Sequence, residues 1–143
     1  MADRLTGGCL CEDIRYTVTA HPKVVSVCHC RNCRKQSGSY RAVNWIVAEG
    51  DLVISGELAT YKDVGESGKA VLRQFCARCG SPIRTLAEGM PGLAILKAGT
   101  LDETVENAPE RASYVDNAAA WELLALDCPQ FKRGPTPSPQ TTK

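Results

Sequence analysis

The chain has 143 residues with a formal net charge of +1, of which 43% are hydrophobic and 23% charged. This length suits one domain with its own core, and the near-neutral charge gives no general case for binding nucleic acid or a membrane surface. No apolar run approaches the roughly 20 residues needed to span a bilayer. The first eight residues have no apolar signal-peptide core, so we expect a reducing cytoplasm, where clustered cysteines bind metal more often than they form disulfides.

Short strands separated by turns are predicted along most of the chain. Ile14, Tyr16 and Val18 alternate with polar residues, which is typical of a half-buried strand. Further strands are predicted at 24–27, 40–48, 52–55, 58–62, 71–75, 82–86 and 93–97. A helical turn is predicted over Arg31–Ser37, ended by Gly38, and residues 118–126 fit either a helix or an extended segment. The pattern predicts a mainly β domain over residues 1–133 and a flexible tail, rich in Pro, Thr and Ser, over 134–143.

Seven of the eight cysteines fall into three short groups. The groups are Cys9 with Cys11, then Cys28, Cys30 and Cys33, and finally Cys76 with Cys79. Thiolates spaced C-x-C or C-x-x-C can bind a single zinc ion at Zn–S distances of about 2.3 Å. The spacing therefore predicts metal binding, and the absence of a signal sequence disfavours a disulfide-linked secreted scaffold.

The sulfurs can be divided between metal ions in two ways. One division puts the first and last groups on a closed, structural zinc and leaves the middle group with an open fourth position, as in catalytic zinc sites. The other pairs Cys30 and Cys33 with Cys76 and Cys79, as in a zinc ribbon. Spacing alone does not choose between them.

The positive charge is concentrated where most of the cysteines lie. No Asp or Glu occurs between residues 24 and 48 or between 67 and 87. The first of these stretches carries Arg31, Arg34, Lys35 and Arg41. These cations either offset the charge of the thiolates or form a pocket for an anionic small molecule.

Other residues have plainer interpretations. His29 lies between two of the middle cysteines, but neighbours in an extended segment point to opposite sides, so we expect it to face away from a metal. Cys128 has no nearby thiol in the sequence and is predicted to be a small apolar filler. Trp45 and Trp121 are predicted to be core residues, with the wall of a pocket as the alternative for either.

The cysteine motifs resemble those of the glutathione-dependent formaldehyde-activating family, which also includes centromere-protein-V-like domains. The resemblance rests on GCLC at 8–11, CHCRNCRK at 28–35, RQFCARCG at 73–80 and AGTLD at 98–102, with Trp121 and PQF at 129–131. These segments follow one another in the same order over nearly the whole chain. Glu12 and Ala120 stand where the family commonly has Gly and Pro, and Cys128 where it often has Leu; none of these departures removes a ligand.

The resemblance implies a two-sheet β-tent fold with short helical turns and two zinc ions per chain. It assigns Cys9, Cys11, Cys76 and Cys79 to a structural zinc, and Cys28, Cys30 and Cys33 to a catalytic one. The implied activity is that of a carbon–sulfur lyase or synthase, which adds the thiol of glutathione to formaldehyde or a related small electrophile. Three cations close to the catalytic cysteines are predicted to meet the carboxylates of glutathione: Arg34, Lys35 and Arg41.

Three other classes of protein remain as alternatives. The same fold serves as a zinc-stabilised binding module, which needs no open metal position. It also hosts methionine-sulfoxide reductases, which need a redox-active cysteine outside the zinc site, and only Cys128 is left for that role. A DNA-binding zinc ribbon is disfavoured by the low net charge.

Overall fold

The computed structural model describes residues 4–123 and 128–135. The described strands are β1 (Leu5–Gly8), β2 (Arg15–Val18), β3 (Val24–Cys28), β4 (Ala42–Ala48), β5 (Leu52–Ser55), β6 (Leu58–Val64), β7 (Ala70–Cys76), β8 (Pro82–Ala87), β9 (Leu93–Lys97) and β10 (Arg111–Ser113). The helices are α1 (Arg31–Ser37) and α2 (Ala120–Leu123), with 3-10 turns at Glu49–Asp51, Ala98–Thr100 and Val115–Asn117. The prediction of a mainly β fold with two sheets and short helical turns is confirmed. No described helix has the length and apolar character needed to cross a membrane.

The chain divides into two compact units, and the first comprises Met1–Lys23 and Trp45–Val105. In this unit β1, β2 and β5 form an antiparallel three-stranded sheet, and a second run of strands has the order β4-β9-β8-β7-β6. The fully buried side chains include Trp45, Ile83 and Leu96. Burial of such large apolar side chains supplies most of the favourable free energy of folding.

A set of polar contacts joins the first sheet to the segment that follows β9. Thr6 Oγ1 donates a hydrogen bond of 2.7 Å to Asp102, and Arg15 Nη1 donates one of 3.0 Å to the same carboxylate. The hydrogen bonds from Arg15 and then Thr6 lower the pKa of Asp102 to about 2. The carboxylate therefore stays charged at neutral pH.

The second unit comprises Val24–Asn44 and Glu106–Lys143. Here β3 and β10 pair in parallel, and Val27, Ala112 and Val115 form a small buried cluster. Helix α1 ends as predicted: Gly38 takes the left-handed conformation (φ 72°) and its N–H donates to the carbonyl oxygen of Arg34. Glycine adopts this conformation without a steric penalty, so it ends the helix at this point.

The structure differs from the sequence predictions at several elements. Strands β1 and β10 were not predicted, and β4 begins at Ala42 rather than at residue 40. Residues 120–123 are helical, whereas 124–127 lie outside the described residues. Trp45 is buried as predicted, but the prediction for Trp121 is wrong because 59% of this residue is exposed. The single domain over 1–133 stays a prediction, as does the flexible tail, most of which lies outside the described residues.

Candidate metal centres

Four sulfurs come together in the first unit. They belong to Cys9, Cys11, Cys76 and Cys79, here called the cysteine quartet, and lie within 4.8 Å of one another. Two of the S···S distances are 3.6 Å (Cys9 to Cys11) and 3.7 Å (Cys11 to Cys76). These distances are far longer than a disulfide bond of about 2.0 Å. They match the edge of a tetrahedron whose corners lie 2.3 Å from its centre, which is about 3.8 Å.

Two tight turns present the quartet. At the first, the N–H of Ile14 donates to the sulfur of Cys9 (N···S 3.2 Å), and Glu12 takes a left-handed conformation with φ 70°. Non-glycine residues rarely take this conformation, which glycine adopts without a steric penalty. At the second turn, the N–H groups of Arg78 and Cys79 donate to the sulfur of Cys76, at 3.3 and 3.5 Å.

The thiols of the quartet do not ionise alike. Hydrogen bonds from the side chain and backbone of Ser81 lower the pKa of Cys79 to about 5, and the Ser81 hydroxyl lies 3.2 Å from its sulfur. At Cys11, a hydrogen bond from the backbone of Asp13 is outweighed by burial and by the neighbouring sulfurs, which raise the pKa to about 12. Like charges at this separation oppose each other's ionisation. A bound dication removes that conflict, so the donor set fits a closed, four-thiolate zinc site.

Three further sulfurs come together in the second unit. Cys28 ends β3, Cys30 caps the N-terminus of α1, and Cys33 lies in its first turn. Their sulfurs lie within 4.8 Å of one another and are here called the cysteine trio. The N–H of Cys33 donates to the sulfur of Cys30 (N···S 3.3 Å), which fixes the helix start against the cluster. Hydrogen bonding to the sulfurs of Cys30 and Cys33 raises the pKa of Cys28.

The trio fits a zinc site of a different type. Among the described residues, no fourth Cys, His, Asp or Glu ligand joins these sulfurs in the cluster. Three protein ligands plus an exchangeable position is the arrangement of catalytic zinc, whereas four thiolates close the coordination sphere. The sulfurs are thus grouped as four and three, and not as in the zinc-ribbon alternative.

A surface depression of about 260 Å³ lies at the C-terminal end of α1. It is lined by Arg34, Lys35, Gly38, Ser39 and Tyr40. The guanidinium of Arg34 lies over the Tyr40 ring, 5.6 Å from its centroid, which is a cation–π contact. Two of the three predicted substrate-binding cations therefore lie in one concave site.

Arg41, the third predicted cation, has a different environment. Its Nε lies 3.3 Å from Oε2 of Glu122, and the two side chains are 28% and 12% exposed. Tyr40 and Trp121, which precede Arg41 and Glu122 in the sequence, are also in contact. Their rings pack edge to face with centroids 5.1 Å apart. The Arg41–Glu122 ion pair thus holds α2 beside one wall of the depression, and direct contact of Arg41 with substrate stays a prediction.

Two residues near the trio behave as predicted. His29 is fully buried and is not a member of the trio cluster, and burial lowers its pKa. Cys128 packs against the apolar cluster of Val27, Ala112 and Val115.

Sequence reasoning missed two residues of this neighbourhood. One is Glu122, because nothing in the sequence pairs it with Arg41. The other is Tyr114. Burial raises its pKa, and the negative charge of the three trio sulfurs raises it further. No sequence motif marks it.

The fold and the two cysteine clusters define a mainly β protein with the ligands for two metal ions. The chain belongs to the family described as glutathione-dependent formaldehyde-activating enzyme, whose model matches residues 4–117. No curated protein matches the chain.

A solved structure supports the fold assignment. The chain is similar to a Rhodobacter sphaeroides protein whose crystal structure was determined as a structural genomics target. The TM-score is 0.55 at 16% sequence identity, over 71% of this chain and 92% of the other. At this identity the similarity shows a shared fold.

Proposed function

We propose that the protein is a zinc-dependent carbon–sulfur lyase or synthase that joins the thiol of glutathione to formaldehyde, or to a related small electrophile, and reverses that addition. The observation that supports this most directly is the cysteine trio, which supplies three zinc ligands where the quartet supplies four. Membership of the family supports the choice of glutathione and formaldehyde.

The proposal gives the two clusters different roles. Zinc held by Cys9, Cys11, Cys76 and Cys79 is structural, because four thiolates leave no position for a substrate. Zinc held by Cys28, Cys30 and Cys33 supplies, when bound, an open position that favours the thiolate form of an incoming thiol. The trio is in this sense the catalytic site.

The chain's own cations hold the rest of the substrate. Gly38 lies five positions after Cys33, which is about 7–8 Å along a helix. The terminal carboxylate of a peptide lies about 7 Å from a thiol one residue earlier, so the two lengths are similar. Arg34 and Lys35 line the depression, and an Arg can hold a carboxylate with two parallel hydrogen bonds.

The reaction itself is balanced without any other reactant. Sulfur bonds to the carbonyl carbon, the π electron pair moves to the carbonyl oxygen, and the proton lost from the thiol is matched by one gained at that oxygen. The reverse reaction breaks the same bond.

A cytoplasmic location is part of the proposal. All eight cysteines are free of disulfide bonds in the structure. Free, clustered thiols are typical of a reducing compartment.

Exchange spectroscopy with ¹³C-formaldehyde and glutathione tests the proposal, together with zinc analysis. We expect the zinc-loaded protein to accelerate exchange between formaldehyde and S-hydroxymethylglutathione. Cys30→Ser should lose at least about 100-fold of that acceleration and one of two zinc ions, because it removes one of three ligands. Cys128→Ser is the matched control, since Cys128 belongs to neither cluster, and should keep both.

Two outcomes would contradict the proposal. One is an exchange rate that is no faster with the protein than without it, although both zinc ions are bound. This result would favour the zinc-stabilised binding module. The other is an unchanged visible spectrum when glutathione is added to the cobalt-substituted protein, which would exclude thiol coordination at the trio.

A further inference from the structure

Tyr114 emerges from β10 beside the cysteine trio. In the parallel pair of β3 and β10, Ser113 lies opposite Cys28, and the N–H of His29 donates to the Ser113 carbonyl oxygen at 3.0 Å. Tyr114 is the next residue, so it leaves the strand next to the segment that carries the three sulfurs. Burial, and after it the negative charge of the three sulfurs, raises the pKa of its phenol.

The backbone at Tyr114 is held in an uncommon conformation. Its φ and ψ are 57° and 42°, in the left-handed region that non-glycine residues rarely adopt. Its N–H donates to the carbonyl oxygen of Arg133, and its own carbonyl accepts from the N–H of Asn117, both at 3.0 Å. Such strain is found more often at functional sites than elsewhere, because the surrounding structure must maintain it.

The hydroxyl of Tyr114 lies next to Gly134. A Cβ at Gly134 would lie 3.4 Å from the phenolic oxygen, which is an ordinary van der Waals distance. Residue 114 is only partly buried. The side chain is therefore not wholly enclosed, and part of it is accessible from solvent.

We infer that Tyr114 is a catalytic residue whose hydroxyl donates a hydrogen bond to the carbonyl oxygen of the electrophile during addition of the thiol. This inference rests on the proposed function. As the S–C bond forms, negative charge develops on that oxygen next to a cluster of anionic sulfurs. A neutral donor is suited to this position, because it stabilises the developing charge. Tyr114 keeps its proton. Water gives a proton to the carbonyl oxygen of the electrophile and takes up the proton that the thiol releases.

Tyr114→Phe tests the inference, because it removes the hydroxyl and keeps the ring. We expect kcat to fall by about 100-fold, as for loss of one donor to a developing oxyanion. KM for glutathione should change by less than about twofold, since a transition-state contact is lost and a ground-state one is not. Zinc content and the melting midpoint should stay at wild-type values, which a merely structural role would not allow.

Tyr61→Phe is the matched control. Tyr61 lies on β6 in the first unit and is 62% exposed, so loss of its hydroxyl should leave kcat unchanged. A Tyr114→Phe variant with wild-type kcat, or one that loses zinc, would overturn the inference.

A second measurement does not depend on turnover. In protein labelled with ¹³Cζ-tyrosine, the Tyr114 resonance is assigned by replacing the other three tyrosines one at a time. We expect it to shift when an equilibrated mixture of glutathione and formaldehyde is added, whereas the Tyr61 resonance should not move. A Tyr114 resonance that stays in place would overturn the inference.

These results separate the two proposals. A shifted Tyr114 resonance in a protein that does not accelerate exchange would contradict the proposed function and with it the catalytic role, and would leave Tyr114 as a binding residue. Accelerated exchange that is unaffected by Tyr114→Phe would contradict only the role of Tyr114.

Discussion

At the scale of single residues, Arg34 and Arg41 are expected to have different roles, although both lie in the sequence close to the other residues that line the depression. Arg34 lines it, whereas Arg41 pairs with the largely buried Glu122. We expect Arg34→Ala to raise KM for glutathione about 10-fold with little change in the melting midpoint, because a charged hydrogen bond of about 1.5 kcal/mol is lost. We expect Arg41→Ala to lower the midpoint by several degrees, because it leaves a carboxylate that is 12% exposed without its cation.

Steady-state kinetics and thermal unfolding of the two variants check this difference. If Arg41→Ala raised KM as much as Arg34→Ala and kept the wild-type midpoint, Arg41 would contact glutathione directly, as the sequence predicted. The sequence could place all three cations near the cysteines, because they are close along the chain. It could not show that Glu122 neutralises one of them, because that contact depends on where α2 packs.

At the scale of elements, local signals decided which predictions were confirmed. Helix α1 was predicted with its observed bounds because Gly38 ends it, and β5 and β9 were predicted with theirs because turn residues flank short apolar runs. Strand β1 was missed since it contains two glycines, which disfavour strands in isolation. Strand β10 has only three residues and pairs in parallel, so its partner is far away in the sequence.

The glycines of β1 are explained by close approach, and this gives a prediction at the same scale. An added Cβ at Gly7 would overlap the Tyr16 hydroxyl and the carbonyl oxygen of Thr100. We expect Gly7→Ala to destabilise the protein by about 2–4 kcal/mol, because backbone must move to relieve the overlap. Chemical denaturation measures this change.

Gly50→Ala is the control for that experiment. Gly50 lies in a 3-10 turn, and a Cβ there would meet nothing within 4 Å. The free energy of unfolding should stay the same or rise slightly, because alanine restricts the unfolded chain. Equal stability of the Gly7→Ala and wild-type proteins would show that β1 does not lie as close to the segment after β9.

At the scale of the whole molecule, the site was predicted in part. Seven cysteines were identified as metal ligands because each lies two or three positions from another cysteine. Sulfurs so close along the chain can bind one ion whatever the fold of the remaining residues. How the three groups combine was left open by spacing, because it depends on which distant segments meet. The resemblance to the family supplied the four-and-three grouping, and the structure places the sulfurs in that grouping. Neither cysteine spacing nor the resemblance to the family pointed to Tyr114.

The two clusters are also expected to contribute unequally to the stability of the molecule. The quartet joins cysteines 65 residues apart (Cys11 and Cys76), so zinc binding there closes a long loop and its free energy is folding free energy. The trio lies within six residues at one helix start and constrains little chain. We expect Cys76→Ser to lower the melting midpoint by about 10 °C or more, and Cys33→Ser by less than about 3 °C.

Thermal unfolding with and without a strong zinc chelator completes this test. The chelator should lower the wild-type midpoint towards that of Cys76→Ser and should have little further effect on that variant, because its structural site is already lost. In Cys33→Ser the chelator should still cause the full decrease, since the quartet is intact. If loss of a trio ligand destabilised the protein as much as loss of a quartet ligand, the second ion would be structural too, and an open position for an incoming thiol would no longer be supported.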